Sequence, residues 1–360
     1  MSFILLYYLL RDPPHELIYI DLAATVLRHR FNILFLFRLL FLTGLIACRQ
    51  SPSAKHPVST PANDSLRWNQ EKPAPFPGGM EGDFIRYGYE LFTRTSRHIG
   101  PEVADPSMRY AGNNLSCQNC HLKGGTKPFS APMIGVTARY PQYRGRENTI
   151  GTIEDRINGC MQRSMNGRKL PYGSKELKAL VLYMKWLTED VSNAQKLKGS
   201  GFADIDIPHR KADMEHGRQV FLQNCVPCHG ADGQGRHTGS IGDAQGYLFP
   251  PLWGPDSFNH GAGMHRVLTA ARFIKGNMPL GATADRPILS DEEAYDVAAY
   301  INSKIRPHLD GVEKDYPDLS QKPIDCPYPP YADDFPQKQH RYGPFQPIIQ
   351  ARQAQNKAVK

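Results

Sequence analysis

The 360-residue sequence lacks the features of a membrane-spanning, sheet-forming or nucleic-acid-binding protein. Its one long apolar run, residues 31–47, is interrupted by Arg38, and the uninterrupted part, 39–47, is too short to cross a bilayer. Apolar and polar residues do not alternate with the period of two that strands require. No stripe of interleaved basic and aromatic residues is present, so we expect no nucleic-acid partner. The mean hydropathy of −0.48 instead describes a soluble globular body, with room for two domains of about 100 residues.

Cysteine is also scarce, with only seven in the chain, but four of the seven form two copies of the pattern C-x-x-C-H. The copies are Cys117, Cys120 and His121, followed by Cys225, Cys228 and His229. In this pattern the two thiols add to the vinyl groups of a haem and the histidine ligates its iron. A zinc site or a disulfide pair is the alternative, but zinc sites do not need a histidine directly after each cysteine pair. The sequence therefore predicts two covalently bound c-type haems, whose propionates offset the formal charge of +8.

The region before the first motif is typical of an exported lipoprotein. Residues 39–47 have the length of a signal-peptide core, and Leu45-Ile46-Ala47-Cys48 resembles the lipobox, at which Cys48 would be lipidated. The alternative is an ordinary signal peptide with an incidental cysteine. Because Arg49 is not the aspartate that favours retention in the inner membrane, we expect a periplasmic protein anchored by lipid to the outer membrane. Residues 1–25 carry three acidic residues and fit no signal peptide, which suggests that translation starts further along the chain.

Two similar units follow a Pro-rich tether. In each unit a helical segment carries Gly and Phe four residues apart, on one face of the helix, and the haem motif comes later. Each unit ends in an amphipathic segment, roughly 175–189 in the first and 291–303 in the second, with Ser174 and Ser290 as N-caps. A tyrosine in each closing helix is placed to pack across the glycine of the opening helix. The pairs are Gly88 with Tyr183 and Gly217 with Tyr300, and Phe92 and Phe221 are the aromatic residues four positions after the glycines.

This crossing of the first and last helices resembles the class I cytochrome c fold, so we expect a mostly α protein with two tandem domains of this kind. The expected division is a signal peptide (1–47), a lipid-anchored Pro-rich tether (48–80), a domain with haem 1 (81–195), a linker (196–212), a domain with haem 2 (213–306) and an irregular C-terminal tail (307–360). Only the first unit has a long extra loop before its haem motif, and this loop holds Arg109, Tyr110 and Asn113. The asymmetry indicates that haem 1 is the active site and that haem 2 transfers electrons.

The sequence indicates the second axial ligand more clearly for haem 2 than for haem 1. For haem 2 we expect Met278, in a Met-Pro loop before the last helix, with Met264 as a weaker rival. A neutral thioether favours Fe(II) and raises the reduction potential. For haem 1 the candidate is Cys160, whose thiolate favours Fe(III) and lowers the potential. Spacing alone leaves three alternatives for Cys160, namely a disulfide with Cys326, an inert buried thiol, or ligation by Met161 or Met165 in its place.

The segment around Cys160 gives a more specific indication. Residues 158–167 read N-G-C-M-Q-R-S-M-N-G, residues 277–279 read N-M-P, and residues 339–345 of the tail read Q-H-R-Y-G-P-F. Together these segments resemble the thiosulfate dehydrogenase (tetrathionate-forming) family of di-haem cytochromes, over about residues 83–349. The resemblance implies that Cys160 is the distal ligand of the active-site haem. It also implies that Arg146, Arg156 and Ser164 belong to the substrate pocket, and that His229 and Met278 ligate haem 2. Some members of the family carry a lysine just before this methionine, which competes for the iron, but this sequence has Asn277 there, and Lys275 is the nearest lysine.

The function implied by this resemblance is the oxidation of two thiosulfate ions to tetrathionate, or the reverse, with electrons passing to an external periplasmic cytochrome. The direction depends on potentials, since about 30 mV in a two-electron couple changes the balance by about 1.4 kcal/mol. We also expect the Cys160 sulfur to bond covalently to one thiosulfate. The alternatives are an electron-transfer di-haem cytochrome without its own substrate, a cytochrome that loads thiosulfate onto a carrier protein, and a di-haem peroxidase. A thiolate-ligated haem beside arginines argues against a pure electron carrier.

Overall fold

The computed structural model describes residues 75–189 and 197–358, with side chains through residue 355. The expected signal peptide, Cys48 and most of the expected tether lie outside the described residues, so those expectations stay predictions. Within the two described ranges, no helix combines the length and the apolar character needed to cross a membrane. The described ranges contain two helical domains, each with one haem motif, and a C-terminal segment.

The first domain surrounds the first C-x-x-C-H motif with helices and has one short hairpin. Its elements are α1 (Gly79–Thr93), α2 (Thr95–Ile99), α3 (Leu122–Gly125), the antiparallel strands β1 (Gln142–Arg144) and β2 (Thr149–Gly151), α4 (Ile153–Arg163) and α5 (Lys175–Trp186). Helices α1 and α5 pack against each other around buried side chains such as Leu91 and Leu180. The Ser174 hydroxyl accepts a hydrogen bond from the Leu177 N–H and caps α5, as predicted.

The second domain repeats this arrangement around the second motif. Its elements are α6 (Met214–Asn224), α7 (Val226–His229), the antiparallel strands β3 (Arg236–His237) and β4 (Tyr247–Phe249), α8 (Val267–Asn277) and α9 (Asp291–Asn302). Helix α9 packs against both α6 and α8. The predicted capping box at the start of α9 is present, because Ser290 and Glu293 each accept the other's backbone N–H.

Glycine permits the close crossing of helices in both domains. A Cβ atom at Gly88 would lie 2.0 Å from the carbonyl oxygen of Ala179 and 2.8 Å from Cβ of Tyr183. A Cβ atom at Gly217 would lie 2.2 Å from the carbonyl oxygen of Asp296 and 3.0 Å from Cβ of Tyr300. No side chain fits at such distances, so only glycine allows the backbones to approach this closely. The predicted pairing of opening and closing helices is therefore confirmed in both domains.

The C-terminal segment is more regular than the sequence suggested. The prediction of an irregular tail over 307–360 is wrong for its last part, which forms α10 (Gln337–Tyr342) and α11 (Gln346–Ala358). Pro336 precedes α10 and Pro347 lies in the first turn of α11, where a missing N–H costs no helical hydrogen bond. Phe345 and Ile348 are fully buried in the core of the second domain. This tertiary packing stabilises helices that the proline content argued against.

We expect the substitutions Gly88→Ala and Gly217→Ala each to lower the free energy of unfolding by about 1–3 kcal/mol, because the added methyl group forces two helices apart. Denaturant unfolding of the haem-loaded protein measures this. Gly263→Ala is the control, since a Cβ there would meet nothing within 4 Å, and its effect should stay within about 0.5 kcal/mol. Equal stability of Gly88→Ala and Gly263→Ala would contradict the close crossing.

Candidate functional site

The first haem motif is held by bonds that orient its histidine. Thr95, in the first turn of α2, accepts from the Cys117 N–H at 3.1 Å and donates to the Leu91 carbonyl at 2.7 Å, and Cys117 Sγ lies 3.5 Å from its hydroxyl oxygen. The His121 Nδ1 atom lies 2.7 Å from the carbonyl oxygen of Ala131. A carbonyl only accepts, so Nδ1 carries the proton and Nε2 is left free to ligate iron. Burial lowers the pKa of His121 to about 4, which keeps the imidazole in the neutral, metal-ligating form.

The second motif has the same arrangement. His229 Nδ1 lies 2.8 Å from the carbonyl oxygen of Pro250, and burial lowers the pKa of this histidine. Met278 directly follows α8, and its half-buried side chain packs against the same apolar core as Cys225. Lys275 is occupied elsewhere, since its Nζ lies 2.7 Å from Asp291 Oδ1. These positions suit a His229/Met278 ligand pair, which stays a prediction.

Unpartnered cationic nitrogens also fit a haem in each domain. Among the residues that the structure describes, the buried Nε atoms of Arg139, Arg272 and Arg306 have no hydrogen-bond partner. A buried guanidinium needs an anionic partner, and each haem carries two propionates. Burial, together with the charge of Arg341, lowers the pKa of Arg306 to about 9. The donor sets therefore fit covalently attached haems with buried carboxylates.

Helix α4 carries three of the predicted substrate-site residues. It begins at a capping box, in which Thr152 Oγ1 accepts from the Asp155 N–H and the Asp155 carboxylate accepts from the Thr152 N–H. Arg156, Cys160 and Ser164 follow at intervals of four residues, so they lie along one face of the helix. Ser164 is the C-cap, and its N–H bonds to the Cys160 carbonyl. The arrangement places a cation, a thiol and a hydroxyl in one row.

The helix that carries Cys160 packs against the first haem motif. Met161, the residue after Cys160, and Ile157, one turn before it in α4, are buried in the same apolar core against which Cys117 packs. The positive charge of Arg156 adds to the effect of burial in lowering the pKa of His121. Cys160 and Cys326 are both free thiols, so the alternative of a disulfide between them is wrong.

Arg146 lies in a charged cluster with the tail. Its Nη1 atom donates to Asp315 Oδ2 at 3.0 Å, to Gly261 O at 3.1 Å and to the Tyr328 hydroxyl at 3.2 Å. Arg163, the last residue of α4, donates to the other Asp315 oxygen at 2.7 Å. Asp315 is 7% exposed, so these ion pairs are largely shielded from water. Arg146 therefore joins the first domain to the second and to the tail, and its predicted contact with substrate stays a prediction.

The second domain holds the C-terminal end of α4 in place. Asn259 Nδ2 donates to the Gln162 carbonyl at 2.8 Å, and Asn113 Nδ2 donates to the Ser164 carbonyl at 2.9 Å and to the Ser257 carbonyl at 3.2 Å. Both asparagines are fully buried. The extra loop before the first motif, which contains Asn113, thus lies against the helix of Cys160. No feature of the sequence marked Asn259 or Asp315, because a single polar residue in a loop carries no periodic signal.

The fold and the two motifs define a di-haem c-type cytochrome. Family models match the chain as a SoxA/TsdA cytochrome c domain over residues 108–192 and as a cytochrome c over residues 214–304. Thiosulfate dehydrogenase from Allochromatium vinosum is 44% identical over 236 residues, which are 64% of this chain and 81% of that protein. The enzyme of the same name from Stutzerimonas stutzeri is 40% identical over 231 residues, 64% of this chain and 70% of that protein. The chain belongs to the thiosulfate dehydrogenase family.

A solved structure agrees with this assignment. Thiosulfate dehydrogenase (TsdBA) from Marichromatium purpuratum, in the "as isolated" form, superimposes with a TM-score of 0.59 at 37% identity. The match covers 66% of this chain and 50% of that chain, so this chain spans half the length of the solved protein. The two tandem cytochrome c domains and the two covalently bound haems predicted from the sequence are confirmed by these comparisons.

We expect Asp315→Ala to lower the free energy of unfolding by about 3–5 kcal/mol, because it removes a buried carboxylate from two guanidinium groups that are themselves mostly shielded from water. Denaturant unfolding and proteolysis of the tail both measure the loss. Asp310→Ala is the matched control, since the Asp310 side chain is fully exposed. A loss no larger than that of the control would mean that the cluster does not hold the tail.

Proposed function

We propose that this protein oxidises two thiosulfate ions to tetrathionate at haem 1 and passes the two electrons through haem 2 to an external cytochrome. The observation that carries the proposal is the row on α4, a helix that packs in the same apolar core as Cys117 of the first haem motif. In this row Arg156 lies one turn before Cys160 and Ser164 one turn after it. The relatives named thiosulfate dehydrogenase support the same substrate. Cys160 as the distal ligand of haem 1, and Met278 as that of haem 2, are parts of this proposal.

The charge of the substrate explains the arginines. Two dianions about 5 Å apart repel each other by about 3 kcal/mol even in water, and by more in a partly desolvated cleft. Arg156 is exposed and has a forked donor group that matches an oxyanion. Arg146 and Arg163 share the single carboxylate of Asp315, so their cluster keeps a net positive charge. The Ser164 hydroxyl adds a neutral donor at the end of the row.

The Cys160 sulfur acts as a nucleophile that holds one substrate. Its thiolate forms an S–S bond with the outer sulfur of the first thiosulfate, giving Cys–S–S–SO3⁻ and releasing two electrons. The outer sulfur of the second thiosulfate then attacks the sulfur that came from the first. This step breaks the bond to Cys160, restores the thiolate and releases tetrathionate. No proton is taken up or released in either step, so the site needs no general base.

The ligands set the direction in which electrons leave the site. Each bound haem would supply one-electron redox chemistry, so two haems together would take up the electron pair. The Cys160 thiolate brings a negative charge that lowers the potential at the first site, whereas the neutral Met278 thioether raises the potential at the second. The potentials therefore favour transfer from the first domain to the second. The same site serves tetrathionate reduction when the external couple has the lower potential.

The cellular location that we propose for this protein rests on its N-terminal sequence alone. We propose lipidation at Cys48 and anchoring to the outer membrane from the periplasmic side, which keeps the haems accessible to a periplasmic cytochrome. Labelling with a radioactive fatty acid in cells tests this, and a Cys48→Ala variant released into the periplasm without label is the expected result.

The substitution Cys160→Met tests covalent participation. Methionine keeps a sulfur ligand for iron but cannot form the Cys–S–S–SO3⁻ intermediate, so we expect kcat to fall by a factor of about a thousand or more. Thiosulfate-dependent reduction of an external cytochrome is the measurement. Cys326→Ala is the control, since this thiol lies in a separate apolar cluster. Full turnover by Cys160→Met would refute covalent catalysis. Separately, a visible spectrum of the parent protein with two His/Met haems would favour the alternative of an electron carrier without its own substrate.

The substitution Arg156→Ala tests anion binding. Loss of one charge-assisted contact, about 1.5–3 kcal/mol, should lower kcat/KM for thiosulfate by about ten- to a hundredfold. Visible spectra of both haems should stay unchanged. Arg94→Ala is the control, because Arg94 is an exposed residue on the same domain that pairs with Glu90. Equal kinetics for the parent and Arg156→Ala would remove Arg156 from the pocket.

A further inference from the structure

Asn277, the residue before Met278, contacts the loop that orients the histidine of the other haem. Its Nδ2 atom donates to the Phe129 carbonyl at 2.9 Å and to the Phe273 carbonyl, one turn earlier in α8, at 3.0 Å. Phe129 lies two residues before Ala131, whose carbonyl accepts the bond from His121 Nδ1. One side chain therefore connects the expected sulfur ligand of haem 2 with the histidine loop of haem 1.

The orientation of this amide is determined by its neighbours. Asn277 is 1% exposed, and both atoms that its Nδ2 contacts are carbonyl oxygens. Exchanging the amide nitrogen and oxygen would place an acceptor against two acceptors, so only the observed orientation is favourable. In this orientation the buried Oδ1 atom has no partner within the described part of the chain. Packing alone would favour an apolar residue at this position. The two hydrogen bonds that Nδ2 donates are what the asparagine adds.

The loop that receives the bond needs external support. Phe129 and Ala131 have φ angles of +59° and +50°, in the left-handed region that is unfavourable for residues other than glycine. Such a conformation persists when surrounding bonds determine it. The Phe129 N–H donates to the Gly199 carbonyl at 2.8 Å and the Ala131 N–H donates to the Gly201 carbonyl at 2.7 Å, while Asn277 satisfies the Phe129 carbonyl.

Other contacts join the same two loops. Lys127 Nζ donates to the Ala282 carbonyl at 3.0 Å, so a second bond crosses between the domains. A Cβ atom at Gly276 would lie 3.6 Å from the Phe129 Cβ and 3.0 Å from the Ala203 Cβ, which shows how closely the end of α8 approaches this region. The Met278 loop and the Ala131 loop are therefore packed against each other as one unit.

We propose that Asn277 is a positioning residue that sets the ligand strength at both irons, by holding the Met278 loop of haem 2 on the Ala131 loop of haem 1. The proposal rests on the proposed function for the ligands Cys160 and Met278. Hydrogen bonds to a ligating histidine raise its basicity, and this tuning stabilises Fe(III). The Asn277 bond keeps the Ala131 carbonyl in place for His121, and it holds the loop from which Met278 would ligate haem 2. A single contact thus widens the difference in potential between the two haems.

The experiment compares Asn277→Ala and Asn277→Ser with the parent holoprotein. A serine hydroxyl still reaches the carbonyl four residues back in its own helix, but it is too short to reach Phe129, so this variant removes the bond between the domains. Reduction potentials of both haems are measured by redox titration followed in visible spectra. We expect the haem 1 potential to rise, because His121 loses basicity, and the haem 2 potential to fall, because thioether ligation weakens. Shifts of opposite sign are not a result of general destabilisation.

The matched control is Asn302→Ala. Asn302 is also a buried asparagine of the second domain, but its Nδ2 donates to the Met264 carbonyl of the same domain. This variant should leave the haem 1 potential unchanged. An unchanged haem 1 potential in Asn277→Ser overturns the proposal, and this holds even when Asn277→Ala fails to fold.

Failure of the proposed function is distinguishable from failure of this proposal. It appears in the parent protein as a missing thioether signature at haem 2 or as no tetrathionate formed from thiosulfate.

Discussion

The bond from each histidine ring to a backbone carbonyl is the constraint on which both sites depend. His121 contacts the Ala131 carbonyl and His229 contacts the Pro250 carbonyl, and in each case one ring nitrogen is used and the other is left free to ligate iron. The C-x-x-C-H pattern supplies the residues, but only a loop returning from elsewhere in the domain supplies the acceptor. Each domain must therefore position not only its helices but also the loop that carries this carbonyl acceptor.

The two domains share a fold, but they differ in the contacts that hold the segments carrying Met278 and Cys160. In the second domain the end of α8 carries Met278 within the apolar core. In the first domain α4 carries Cys160, and the end of this helix is tied to the second domain through Asn259 and to the tail through Asp315. These bonds limit the movement of α4, and therefore of Cys160, from two sides.

Buried asparagines make three of the contacts between the domains. Asn113 and Asn259 link the end of α4 to the loop 257–261, and Asn277 links the Met278 loop to the Ala131 loop. Each of these asparagines is buried and donates to a backbone carbonyl of the other domain. Because the partner is a carbonyl rather than a side chain, each contact fixes the backbone of the other domain.

The local features of this protein could be predicted from its sequence. The haem motifs, the glycine and tyrosine pairs at the helix crossings and the caps at Ser174 and Ser290 all depend on residues within a few positions of each other or on a repeated pattern. Other features depend on the folded chain. The tertiary structure formed two helices in a tail rich in proline, bound Arg146 and Arg163 to Asp315, and placed Asn277 against Phe129. These contacts join residues more than a hundred positions apart or depend on burial of a few side chains, and no periodic pattern in the sequence encodes such pairings.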